Sequence, residues 1–301
     1  MNYLSVDHLF VYAFLLITLY IGLRAGRGIK DIREYAIANK TYGTGALVLT
    51  YLATAIGGGI LIDDTGCMFT YGLIAVLADS LLSLTFIVRA FFIAPKMVYF
   101  DGCLTMGDVM ENLYGVPSKV ISGTLGALNA VIIASMQLIV LGAIGEYLLE
   151  IRPVWSIIIG GLLLATYSAY GGIKAVTSTD IFQFIALIII IPFITGTAVE
   201  HAGGIKEVFN QLPTEKLAIL DHEKFLFYLT VFIMNTFLQA GLVDTAIIQR
   251  MLMGKSRRQL QNLYLVVAGF NPALLIALAF IGLAGVAMYP NTAPQHIVTH
   301  I

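Results

Sequence analysis

The stretch TAIGGGILIDDTG, residues 54–66, decides the fold. It lies inside a long apolar run that otherwise reads as a helix, yet it holds three consecutive glycines and two adjacent aspartates. Each glycine costs a helix interior roughly 1 kcal/mol relative to alanine. A carboxylate at membrane depth costs about 3 kcal/mol on insertion scales. The run is therefore read as a helix broken at a hinge of Gly57, Gly58 and Gly59. Non-helical backbone inside a bilayer is tolerated only where it faces protein or a wet cavity. The carbonyls freed at such a break suit a cation such as Na+, and the N–H groups of the other half-helix suit an anionic or hydroxyl group. The competing reading is that the glycines only permit close helix packing. Asp63 and Asp64 are either solvated loop carboxylates in a vestibule or members of the site.

The rest of the chain sets this run in a membrane. Of 301 residues, 58% are hydrophobic and 12% charged, and the mean hydropathy is +0.88. Eight apolar segments recur, at about 7–23, 44–66, 69–94, 120–148, 154–171, 180–199, 225–248 and 261–288. Runs of this length predict transmembrane helices, so the expected class is an all-α polytopic membrane protein. Thirteen of the 17 basic residues fall in one set of connections, from Arg24 to Arg258. The positive-inside rule makes that set cytoplasmic and the N-terminus external, in a multi-pass protein of the plasma or bacterial inner membrane. The segments HAGGIKEVFNQLP and TMGDVMENLYG are read either as short surface helices or as polar loops.

Composition also excludes functions. A net charge of −1 leaves no basic footprint for nucleic acid. Cys67 and Cys103 fall near opposite membrane faces, so no disulfide is expected. The chain shows no Cys/His metal cluster, no phosphate-binding loop and no nucleophile–base pair, so it is read as no enzyme and as needing no organic cofactor.

Polar residues at depth are the remaining candidates. Asp79 interrupts an apolar segment near its middle, which marks a site residue unless it is a buried helix-capping or serine-paired carboxylate. Asn235 and Gln239 stand four residues apart and present amides side by side, toward a solute or a neighbouring helix. Asn129 and Gln137 share a helix face with the same ambiguity. Tyr167 and Tyr170 read as interfacial anchors.

The stretch YGGIKAVTSTDIFQF, residues 170–184, is expected as a cytoplasmic loop. Its Gly171, Gly172, Lys174, Ala175, Val176, Thr179, Asp180 and Gln183 resemble the short signature of the sodium:solute symporter family. Residues 33–58 resemble the loop and first core helix of that family, and residues 244–261 resemble the loop after its sixth core helix. The resemblance implies a partial leucine-transporter-type inverted-repeat fold in a single membrane domain, 1–301. Segment 7–23 would be a leading helix, 44–199 the first five-helix repeat, and 225–288 two helices of a second, incomplete repeat. It implies sodium-coupled uptake of a small-molecule solute by alternating access across a lipid bilayer. Sodium would be held by the backbone carbonyls of Ala53 and Ile56. Some members carry a carboxylate between these positions, where this chain has Ala55. Asp180 would lie near the sodium exit, and Asp79, Asn235 and Gln239 in the solute pocket.

Family members continue for several more helices, one of which supplies the hydroxyls that complete the sodium site. The resemblance thus predicts that these residues are the N-terminal portion of a longer symporter or the product of a truncated gene, with little coupled transport alone. A membrane sensory domain of a symporter-like signalling protein and a non-functional remnant of a degraded gene are the alternatives.

Overall fold

The computed structural model describes residues 6–56, 58–218, 226–227, 229–230, 233–234, 244–290 and 292. Most of these are helical, with no strand among the described residues. In chain order the helices are α1 Val6–Ala25, α2 Ile32–Ile37, α3 Thr44–Ala55, α4 Gly58–Tyr71, α5 Leu73–Val88 and α6 Ala94–Met97, followed by α7 Met106–Tyr114 and α8 Val116–Leu149. Then come α9 Pro153–His201, α10 Ile205–Gln211, α11 Thr214–Leu217, α12 Thr245–Leu252 and α13 Arg257–Met288. Among them, five stretches are long and apolar enough to cross a bilayer: His8–Ala25, Leu73–Phe100, Val116–Leu149, Pro153–His201 and Arg257–Met288. The expected span at 225–248 lies largely outside the described residues, and Asn235 and Gln239 with it.

Local sequence explains the helix ends. Asp31 caps α2 by accepting the Glu34 N–H at 2.6 Å. Thr105 and Asp108 form a reciprocal capping box on α7, which satisfies two otherwise orphaned donors. Both stretches that the sequence left between helix and loop are helical, as α7 and α10.

Three expectations are corrected. Asp63 and Asp64 belong to no loop, since both sit within α4. The expected loop at 170–184 is helical too. α9 runs 49 residues and is broken only at Gly172, where φ is 48° and ψ is −142°. Its 49 residues are more than twice the roughly 20 that a helix needs to span a bilayer core. A Cβ at Gly172 would lie 2.5 Å from the Tyr35 carbonyl oxygen, and its φ is one that glycine alone adopts without strain. Finally, Tyr167 is no interfacial anchor. It is 5% exposed, because Gly22 on α1 leaves room for its ring, whereas Tyr170 is exposed.

The chain forms two compact units. The first holds residues 1–55, 96–184 and 241–257. Its core includes Ile37, Leu47, Tyr51, Phe184, Met251 and Leu252. The segment before α3 carries three successive left-handed residues, Ala38, Asn39 and Lys40, with φ of 50°, 50° and 55°. Left-handed backbone costs an L-residue about 1–2 kcal/mol. Contacts offset that cost: Ala38 N–H donates to Glu34 O, Lys40 pairs with Asp101, and Lys255 donates to Thr41 O at 2.8 Å.

The second unit holds residues 56–95, 185–240 and 258–301. One of its clusters joins Phe69, Ala198, Ala202, Val208, Leu212 and Leu283, and another joins Met68, Ala75, Leu275 and Ala279. Between α5 and α6 the backbone widens into a π-helical turn, Arg89–Ile93.

Candidate functional site

The apolar run that opened the sequence argument is interrupted between Ala55 and Gly58. The break is shorter than three glycines. Gly58 and Gly59 already form the first turn of α4, Ile56 is a buried bend, and Gly57 lies outside the described residues. Ala53 is half-buried in the last turn of α3. The last four carbonyls of a helix have no intrahelical donor, and Ala53 supplies one of them.

In the first unit, Asp180 joins two residues that sequence reasoning missed. Its Oδ2 accepts from the Thr50 hydroxyl at 2.6 Å and from Arg250 Nη2 at 2.9 Å. Three segments far apart in the chain, α3, α9 and α12, thus meet on one carboxylate oxygen. Thr50 is wholly buried, and the Arg250 and Asp180 side chains are 5% and 15% exposed. Arg250 also donates to the Ala246 carbonyl at 3.2 Å. The position of α12 follows from Asp244, whose carboxylate caps it by accepting the Ala246 and Ile247 N–H groups. Gln249 Nε2 ties α12 to the Ala36 carbonyl at 2.8 Å.

A second polar layer lies beside this cluster. Glu34 pairs with Lys174. The Lys174 ammonium and the Lys30 N–H hold the Glu34 carboxyl below the usual carboxylate range. Tyr35 donates its hydroxyl to the Ala169 carbonyl at 3.1 Å, just ahead of the Gly172 break. Burial pushes the Tyr42 phenol above its ordinary value, with Ser178 and Thr177 beside it. The hydroxyl-rich TSTD of residues 177–180 is therefore in contact with the segment that leads into α3.

In the second unit the carboxylates gather on consecutive helices. Asp79 sits midway along α5, half-buried. The adjacent Ser80 hydroxyl donates to the Val76 carbonyl at 2.6 Å. On α4, Asp63 is exposed and Asp64 half-buried. Asn129 and Gln137 are half-exposed on α8. Both cysteines are free. Among the described residues no group of three His, Cys, Asp or Glu is arranged to hold a metal ion.

Five apolar helices of membrane-spanning length, one interrupted apolar run and a buried ion pair define a helical membrane protein. The model of the sodium:solute symporter family matches residues 35–301, and the chain belongs to that family. It is 25% identical over 283 residues to high-affinity choline transporter 1 of Drosophila melanogaster, covering 89% of this chain and 45% of that one. It is 22% identical over 288 residues to the sodium/proline symporter of Staphylococcus aureus strain Newman, covering 93% and 56%. The chain spans about half the length of the curated relatives it matches. Among solved structures, a substrate-bound, outward-open Na+-coupled sialic acid symporter matches with a TM-score of 0.85 at 18% identity, over 100% of this chain and 67% of that one. The fold is thus of the leucine-transporter type.

Proposed function

We propose that this chain is part of the membrane domain of a sodium-coupled transporter that takes up a small solute by alternating access. The observation that carries this reading is the helix interruption between Ala55 and Gly58 in a chain of the sodium:solute symporter family. The carbonyls of Ala53 and Ile56 contribute ligands to sodium, a hard cation that takes oxygen donors. Asp79 contributes to the solute site, and the family resemblance assigns Asn235 and Gln239, which lie outside the described residues, to the same site. Asp180 lies on the sodium exit, where its pairing with Arg250 and Thr50 holds α3, α9 and α12 together. Breaking that pairing accompanies sodium release. Helices of 44–199 and 225–288 belong to two inverted repeats, and the N-terminus is external in a multi-pass cell-membrane protein. Transport, not catalysis, is the activity.

The test is sodium-specific stabilisation of the purified protein. A ligand that binds only the folded state stabilises by about 2.7 kcal/mol at 100 times its Kd. Saturating NaCl should raise the melting temperature by several degrees over equimolar KCl. Proline and choline, the solutes in the relatives' names, are the first probes for gradient-driven uptake into liposomes. Identical melting in the two salts would count against the sodium site.

A further inference from the structure

Helix α4 ends where the chain turns back at Gly72 into α5, and that end is closed by a residue from a distant part of the chain. The last four carbonyls of a helix need outside donors and carry the negative end of its dipole. In α4 these belong to Met68, Phe69, Thr70 and Tyr71. The Gly72 N–H takes the Met68 carbonyl at 2.9 Å. Lys216 of α11 takes the next two: its Nζ donates to Phe69 O, and to Thr70 O at 3.0 Å. The same ammonium stands 5.3 Å from the centroid of the Phe69 ring, within cation–π range.

The approach is close. A Cβ on Gly72, whose φ is 74°, would lie 2.7 Å from the Lys216 Cα and Cβ. Burial draws the Lys216 ammonium below the ordinary lysine range, with the Glu215 charge opposing. The segment that delivers Lys216, residues 205–217, is anchored at its other end by apolar packing. Val208 is wholly buried and Leu212 nearly so, against Phe69, Ala198 and Leu283. Phe209 meets Phe280 edge-on at 6.3 Å.

We propose that Lys216 is a positioning residue: its ammonium is a detachable cap that clasps the strap 205–217 onto the end of α4, so this half of the interrupted helix is capped only while the strap is closed. Under the transport reading above, strap and half-helix then move as one piece. That consequence rests on the reading; the cap itself does not.

Hydrogen exchange of the whole protein at one fixed pH tests it. Lys216→Met keeps the aliphatic stem and removes the ammonium; Lys216→Arg keeps charge and donors. In Lys216→Met, amides of both 205–217 and 68–75 should exchange about tenfold faster, the size expected for a lost charge-assisted hydrogen bond. Residues 44–55 should be unchanged. Lys216→Arg should restore both segments to within about twofold of wild type. Wild-type exchange in Lys216→Met would overturn the proposal. So would loosening of the strap alone, or equal loosening in Lys216→Arg, which would assign the effect to stem packing. If Lys216→Met fails to fold, Gly72→Ala serves instead, and it must loosen the same two segments. Loss of sodium-specific stabilisation with the exchange pattern intact would sink the transport reading and leave the cap standing.

Discussion

Removing both partners of the Asp180–Arg250 pair should cost no more than removing either one. The Arg250 side chain is 5% exposed and that of Asp180 is 15% exposed. Taking one partner from a buried pair costs about 3–5 kcal/mol, because the remaining charge is left without compensation. Asp180 keeps the Thr50 hydroxyl at 2.6 Å and some access to water. Arg250→Met therefore belongs at the low end, about 3 kcal/mol. In Asp180→Asn, Arg250 keeps the Ala246 carbonyl and a neutral amide in place of the carboxylate, for about 2 kcal/mol. The double variant leaves no buried charge and should cost about 2 kcal/mol, a coupling near 3 kcal/mol. Denaturant or thermal unfolding of the four proteins in one detergent measures it. Single-variant effects that add to within about 0.5 kcal/mol, or an Arg250→Met protein as stable as wild type, would refute the reasoning. Either would mean that α3, α9 and α12 are held by apolar contacts.

Three more outcomes follow from other sites. Gly172→Ala places a methyl 2.5 Å from the Tyr35 carbonyl at a φ of 48°, and should lower stability by about 2–3 kcal/mol in the same unfolding assay. Hydrogen bonding and charge from Lys40 hold the Asp101 carboxyl below its ordinary range. The stability it adds is thus present above the unfolded carboxylate pKa of about 4. That stability is lost as pH falls through the lowered folded value. At 69% exposure the effect is under about 1 kcal/mol, and Asp101→Asn should flatten the acid limb of the melting curve. In the whole transporter proposed above, Asp79→Ala should abolish sodium-driven solute uptake while leaving the sodium-induced rise in melting temperature, which separates solute from ion binding.

The fold was legible because apolar runs of membrane length are long signals that need no tertiary knowledge. What sequence reading missed sits where two distant segments meet. Asp180 stood out through its surrounding motif, but its partners Thr50 and Arg250 lie 130 and 70 residues away. Nothing local to Thr50 marks it. Arg250 had one cue, the single charge in TAIIQRML. Lys216 has no local cue, since a cap on another helix leaves no trace in its own neighbourhood. Residues 170–184 were misread as a loop because their glycines and polar residues resemble a connection. One glycine conformation suffices to turn the chain there, and the hydroxyls and Asp180 are used from helical backbone.

Helix α8 carries a different lesson, about which changes a lineage of this protein can accumulate. Only Gly126, Gly142, Gly145 and Leu149 are buried along its 34 residues. A methyl at Gly145 would run into the Ser156 side chain, and one at Gly126 into Thr245. Its many outward apolar positions need only remain greasy, so Val, Ile, Leu and Phe should exchange there almost freely. The buried glycines are pinned by the side chains that press on them. A saturation library of α8 should therefore show a tolerant surface punctuated by isolated, nearly immutable points.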